Sequence, residues 1–346
     1  MLTRSHNEEK CSARESLTRC KTSVDQALRT SVNELPPAIR QIAGYQLGWW
    51  DAKGETLKET GGKSMRPALL LLTAEAVHGD PAAAVPAAVA VELAHNFSLI
   101  HDDVLDGDRM RRHRLAAWAV FGKENAILAG DAMLSTALTT LATCDHPARV
   151  EGVLVLHRSL LDLVSGEFSD LEFEKRKNVE LSECAAMAEK KTATLLSASC
   201  ALGAIFGGAP RETVTSMSEF GRLLGVAFQH IDDILGIWGD PSVTGKPIHS
   251  DLRSRKKSLP VVAALCSDTP EGRELGKIYA RPAPLTDSDI SHAADLVDAA
   301  GGRSWSQQQA DGSIAKALDL LDRFDLESKA KTTLAYLATM LADRTS

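Results

Sequence analysis

From about residue 35 to residue 343, apolar positions recur every three or four residues, in runs of about 12 to 28 broken by glycine and proline. This is the period of an α-helix. The run RPALLLLTAEAVHGD places Pro67 in a first helical turn and Gly79 just beyond the last. Further helical runs begin at DPAAAV, ENAILAG, ARVEGV, ELSECA and RETVTS, and four more are expected near 258–266, 286–300, 304–323 and 326–343. No segment alternates with period two between turn signals. Several runs are apolar nearly all round, as in helices surrounded by other helices. The pattern predicts one all-α domain of ten or more helices over residues 31–346, with a central helix shielded from solvent. Residues 1–30 lack a strong apolar period and are expected to be disordered. No linker rich in Pro, Gly or Ser marks a second domain.

Composition narrows the class. The 346 residues are 44% hydrophobic and 25% charged, the profile of a globular protein with ample material for a core. A net charge of -7 argues against a nucleic-acid binder. The six cysteines, at 11, 20, 144, 184, 200 and 266, form no CxxC pair and no zinc spacing, and read as reduced thiols of a cytoplasmic protein. Residues 1–24 are polar, with no apolar signal core. No membrane span is expected: the most apolar stretch, about 81–100, carries Pro81, Pro86, Glu92 and His95.

Two acidic pairs carry the candidate chemistry. In LIHDDVLDGDRMRRHR, Asp102, Asp103 and Asp106 end an apolar helix. Positions i and i+4 share a helix face, so Asp102 and Asp106 bring two like charges within a turn of each other. A hard cation such as Mg²⁺, shared with substrate phosphate oxygens, relieves that repulsion. The alternative is a solvated helix end. Asp232 and Asp233 in FQHIDDILGIWGD end a second apolar run, and together the pairs read as carboxylate clusters facing each other across a cavity. Basic clusters lie nearby in sequence: Lys63 and Arg66; Arg109, Arg111, Arg112 and Arg114; Lys190 and Lys191; Lys246, Lys256 and Lys257. Each alone reads as a solvated face. Beside two acidic clusters they point to a polyphosphate held partly through Mg²⁺ and partly directly. No P-loop or GxGxxG occurs. His101 beside Asp102, with His95 and His230 available, raises a metal phosphohydrolase as a minor alternative.

From about Gly61 to Pro260 the chain resembles the trans-isoprenyl (polyprenyl) diphosphate synthases: GGKSMRP, ELAHNFSLIHDDVLDGDRMRR, GEFSDL, KTATL, FQHIDDILGIWGD and GKPIHSDLRSRKKSLP occur in the family's order. The resemblance implies a single domain of antiparallel helices around a deep central cavity, and a homodimer. It implies that Asp102, Asp106 and Asp232 bind Mg²⁺, with three ions per site and with Asp103 and Asp233 in support. Arg111, Lys191, Lys246 and Lys256 would hold the allylic diphosphate. Lys63, Arg66, His95 and Arg112 would hold isopentenyl diphosphate. Gln229 and Thr192 match family positions. The metal ions would let the allylic diphosphate ionise, and the double bond of isopentenyl diphosphate would then attack the cation.

Three departures stand out: Gly236 replaces the last aspartate of the second motif, Glu167 stands where glutamine is common, and HRLAAW follows the arginines. Phe97 lies five residues before Asp102, about 7.5 Å along the helix, and Ser98 is small. By resemblance, Phe97 floors the cavity of a short-chain enzyme, giving geranylgeranyl diphosphate (C20). Alternatives are a class I terpene cyclase, which needs no second diphosphate site, and a non-catalytic subunit that regulates another synthase.

Overall fold

A computed structural model describes residues 2–57, 64–241 and 247–342. Lys63 and Lys246 lie outside these residues. The helices are α1 (Leu2–Asn33), α2 (Pro37–Gln46), α3 (Met65–Ala76), α4 (Val85–Leu105), α5 (Ala117–Phe121), α6 (Lys123–Thr143), α7 (Arg149–Lys175), α8 (Leu181–Ala188), α9 (Thr194–Phe206), α10 (Arg211–Trp238), α11 (Ser250–Arg253), α12 (Leu259–Leu265), α13 (Pro270–Tyr279), α14 (Asp287–Ala299), α15 (Gly302–Leu321) and α16 (Ser328–Ala342). A π-helical turn, Glu189–Ala193, joins α8 to α9. Among the described residues the only strands are β1 (Met110–Arg111) and β2 (Arg114–Leu115), an antiparallel pair. The all-α expectation holds.

Two features lie outside the sequence reading. The chain forms two compact units: residues up to Leu160 with Leu195–Glu219 and Leu321–Tyr336, and Leu161–Thr194 with Phe220–Leu320 and the residues from Leu337. A search for linkers could not find this boundary, because it falls inside α7 and α10. The second difference is at the N-terminus, where the residues expected to be disordered form α1. Its buried positions, Ala13, Ser16, Cys20, Val24, Leu28 and Val32, recur every three or four residues. The stripe is one residue wide and includes Ser and Ala, so it leaves little trace in hydropathy.

In the first unit, Leu69, Leu70, Leu71 and Leu72 of α3 are all buried, as are Val89, Ala90, Val91, Leu93 and Ala94 of α4. Each buried leucine contributes about 1.5–3 kcal/mol. Glycine sets the closest approaches. A Cβ on Gly79 would stand 2.3 Å from Cα of Gly207, and one on Gly203 2.3 Å from the Leu70 carbonyl oxygen. The left-handed residue that ends α3 is therefore His78 (φ 64°), not Gly79, which is needed for its missing side chain. Helix α6 is long and apolar enough to cross a membrane by length and composition alone. Its Ala126, Ala129, Gly130, Met133, Ala137 and Leu141 are buried at helical spacing, so one face packs on the unit while Ile127 and Leu128 of the other face are exposed.

The second unit packs the end of α10 and α11–α14 around Ile237, Leu252, Val261, Leu275, Ile278, Ile290 and Val297. Another cluster joins Phe173, Val179, Cys184, Met187, Leu259 and Val262. Thr286 and Asp289 cap α14 reciprocally.

Candidate active site

The first acidic cluster is placed by α4. Burial on both sides fixes this helix, and its last turn presents Asp102 and Asp103, with Asp106 as the C-cap. Carboxylate oxygens of Asp102 and Asp106 lie within 4.8 Å of each other. The chain then turns at Gly107 (φ 70°) into the β1–β2 hairpin, whose central residues Arg112 (φ 52°) and His113 (φ 61°) are both left-handed. This is a tight mirror-image turn of the kind that usually takes Asn-Gly. It brings Arg111 back to the helix end: Nε donates to Asp103 Oδ1 at 2.7 Å and Nη2 to Asp102 Oδ2 at 3.0 Å. Arg114, read from sequence as part of a cationic run, instead anchors the hairpin. Its guanidinium lies 4.2 Å from the Tyr45 ring centroid and donates to the Trp50 carbonyl. Asp103 is buried, and its Oδ2 has no hydrogen-bond partner among the described residues. Burial pushes this carboxyl up to about 6, against the pull of Arg111.

A cationic pocket sits two turns earlier on α4. Nη1 of Arg66, from the start of α3, lies 3.1 Å from Nε2 of His95. Glu92 is buried beneath, and the Asn96 amide donates to its Oε1 at 3.2 Å. Burial lowers Arg66 to about 10, with Glu92 opposing. Burial, then Arg66, Arg112 and Arg111, push His95 well below its usual value, so it is neutral at pH 7. Arg66 Nε and Glu92 Oε2 are buried without hydrogen-bond partners among the described residues. Phe97 is buried, while Ser98 donates to the His95 carbonyl at 2.8 Å.

In the second unit the Asp-Asp pair divides. Asp232 is exposed on α10. Asp233 is buried and saturated: Gln229 Nε2 donates to Oδ1 at 2.7 Å, and the Leu259 amide donates to Oδ2 at 2.8 Å. Burial raises its pKa to about 7, with Lys256 opposing. Thr192 donates to Gln229 Oε1, so the two family-matching positions form one chain of hydrogen bonds. Lys191 Nζ bridges Glu167 Oε2 at 2.8 Å and Asp170 Oδ2 at 2.7 Å, and Lys256 Nζ is 4.0 Å from the same Asp170 oxygen. The π-helical turn gives Lys191 its position. A Cβ on Gly166 would stand 2.4 Å from the Lys191 nitrogen, and one on Gly225 2.3 Å from Cα of Ala193. A Cβ on Gly236 would meet Asp251 Oδ2 at 2.3 Å, so a carboxylate lies against the position where the motif lacks one.

The phosphohydrolase alternative falls here. His95 faces Arg66, His101 approaches the Ile127 carbonyl, and His230 packs on Ser306, three separate environments. Sequence reasoning missed Glu92 and Asp170. A lone acid inside an apolar run, and the i, i+3 pair Glu167 and Asp170 before a lysine, were the available signals.

The residues fit a divalent ion. Asp102 and Asp106 offer only oxygen donors at close range, and Asp103 keeps an unsatisfied buried oxygen beside them. A model of the polyprenyl synthetase family matches residues 49–297. The chain is 41% identical over 324 residues to a (2E,6E)-farnesyl diphosphate synthase of Mycobacterium tuberculosis, covering 93% of this chain and 90% of that one. It is 42% identical over 306 residues to a geranylgeranyl diphosphate synthase of the same species, covering 88% and 87%. The crystal structure of a polyprenyl synthetase from Streptomyces coelicolor, 39% identical, matches with a TM-score of 0.90 over 95% of this chain and 99% of that one. The chain belongs to the polyprenyl synthetase family, enzymes that build prenyl diphosphates with the help of a divalent metal.

Proposed function

We propose that this protein condenses isopentenyl diphosphate head to tail with an allylic diphosphate and releases diphosphate, with geranylgeranyl diphosphate (C20) as its main product. The observation that carries this reading is the layout of α4. His95 and Asp102 are seven residues apart, hence on one face and about 10.5 Å apart along the axis. One face of one helix thus carries His95, beside the half-buried Arg66 of α3, and an acidic metal site, one for each of two diphosphates. A cyclase, which ionises a single diphosphate, has no use for the first.

Asp102 and Asp106, with Asp232, would hold Mg²⁺, in a complement of three ions. When bound, the metal supplies charge that stabilises the departing diphosphate as the allylic C–O bond ionises. Lys191, Lys246, Lys256 and Arg111 hold that diphosphate. Lys191 is held in place by its two carboxylate partners and packed closely from behind by Gly166. Arg66, Arg112, Lys63 and neutral His95 hold isopentenyl diphosphate, with His95 offering a hydrogen bond without a second charge beside Arg66. The new C–C bond forms between the allylic C1 and the terminal carbon of isopentenyl diphosphate, and the released diphosphate takes the proton that is lost. Phe97 floors the space for the growing chain.

A cytoplasmic homodimer completes the reading. The exposed residues Val150, Leu154, Leu161, Val164 and Phe168 form a stripe along α7 at spacings of four, seven, three and four, and Ile127 and Leu128 of α6 are exposed as well. A second copy is the partner such a stripe fits.

The test is incubation with Mg²⁺, isopentenyl diphosphate and each of dimethylallyl, geranyl and farnesyl diphosphate, with products identified by mass. A C20 diphosphate is expected. Longer or shorter products would keep the reaction and discard Phe97 as a C20 floor. Hydrocarbon from farnesyl or geranylgeranyl diphosphate without condensation would make the protein a cyclase. Inactivity alone, with stimulation of another synthase, would make it a regulatory subunit.

A further inference from the structure

We infer that His101 is a positioning residue that sets product length by bracing Phe97 from behind; this rests on the reading of Phe97 as the floor. The two side chains stand one turn apart on α4, with ring centroids 4.8 Å apart and planes at 64°, edge to face. His101 is itself pinned from the neighbouring helix. Its Nε2 lies 3.0 Å from the Ile127 carbonyl oxygen of α6, so the ring carries its proton there and donates it. Asp131 Oδ1 lies 3.7 Å from the same nitrogen. The ring fits because residue 130 is glycine: a Cβ there would stand 2.3 Å from Nε2 and 2.9 Å from Cγ2 of Ile100.

The arrangement is a latch of three parts. Gly130 opens a notch in α6, the Ile127 carbonyl fixes the imidazole plane within it, and the imidazole restricts the phenyl ring of Phe97. A phenyl ring at a cavity floor can swing to another rotamer when a growing chain presses on it. Here the swing must also displace a hydrogen-bonded ring wedged between two helices. His101 neighbours Asp102 in sequence but lies about 100° round the helix from it, and its polar atom is engaged by α6. Its contribution is therefore to the depth of the floor and not to metal or diphosphate binding.

The experiment compares wild type with Phe97→Ala, His101→Ala, Gly130→Ala and, as a control, Gly312→Ala, whose new Cβ meets nothing within 4 Å. Products are resolved by length and the melting temperature is recorded for each protein. His101→Ala removes the brace and Gly130→Ala expels it from the other side. Both are expected to raise the ratio of the next longer product to the main one by about 2- to 10-fold, the range that loss of one aromatic pair gives. Phe97→Ala should raise it further, and Gly312→Ala should leave it unchanged. If Phe97→Ala lengthens products while folded His101→Ala changes only the melting temperature, His101 is structural and the inference is overturned. If Gly130→Ala does not fold, His101→Ala alone decides. A wild type that does not condense at all would strike the proposed function. A wild type that condenses, with Phe97→Ala unchanged, would remove the floor and the brace together.

Discussion

The ends of α4 and α10 carry the same Asp-Asp dipeptide after the same kind of apolar run, and they are built differently. Each has one buried and one more accessible carboxylate. At α4 the buried Asp103 leaves one oxygen unsatisfied and shares the fork of Arg111 with Asp102. At α10 the buried Asp233 has both oxygens bonded, to a side-chain amide on its own helix and to the backbone amide that opens α12. The first pair keeps acceptor capacity in reserve beside a third carboxylate. The second uses one member to tie helices together and leaves Asp232 exposed on α10. Identical dipeptides thus divide between chemistry and architecture according to what the rest of the fold offers their oxygens.

The widest gap should appear between exposed and buried members. Asp106→Ala and Asp232→Ala are each expected to lower turnover by on the order of 10²–10³ while stability stays within about 0.5 kcal/mol, checked by steady-state rates and urea unfolding. A large loss of stability in either would erase the division. Asp233→Ala should do the reverse first: it strands the Gln229 amide and the Leu259 N–H and should cost about 2–4 kcal/mol in urea unfolding. Equal stability to wild type would show that the tie between α10 and α12 is dispensable. A smaller effect is expected of Arg111→Lys, which keeps the charge but loses the two-pronged contact. A cost of about 1–2 kcal/mol, with a raised KM for the allylic substrate, would confirm the fork.

The smallest effect concerns pH. His95 titrates below its usual value because burial and three arginines disfavour its charged form. The folded state therefore binds fewer protons than the unfolded state once pH falls below about 6.5. Its contribution is fully present above that pH and is lost as pH falls toward the folded-state value. His95→Gln should flatten the acid side of a melting-temperature profile between pH 8 and pH 5, and an unchanged slope would count against a neutral His95.

Most of the helices were legible because their apolar periods are long and broad. Helix α1 was not, since its buried stripe is narrow and partly Ser and Ala. The short helix α13 was missed because its buried face is small, only Gly272, Leu275 and Ile278. Candidate site residues came largely from motif order, which singled out Asp102, Arg111, Lys191 and Gln229 as candidates but could not tell which oxygens would be used up by the fold. That Arg114 would sit on Tyr45, and that Lys191 would be held by Glu167 and Asp170, depends on long-range packing with no local signature. Lys63 and Lys246 lie outside the described residues and rest on the motif alone.

The β1–β2 hairpin also constrains how this sequence can evolve. A two-residue turn with both residues left-handed has no slack. One inserted or deleted residue between Arg111 and Arg114 would shift the pairing by one and reverse which side chains face the helix end. Arg111 would turn away from Asp102 and Asp103. Point substitutions can be sampled at His113, where glycine or asparagine should even relax the backbone. Changes of length cannot, so this loop should keep its residue count even where His113 varies.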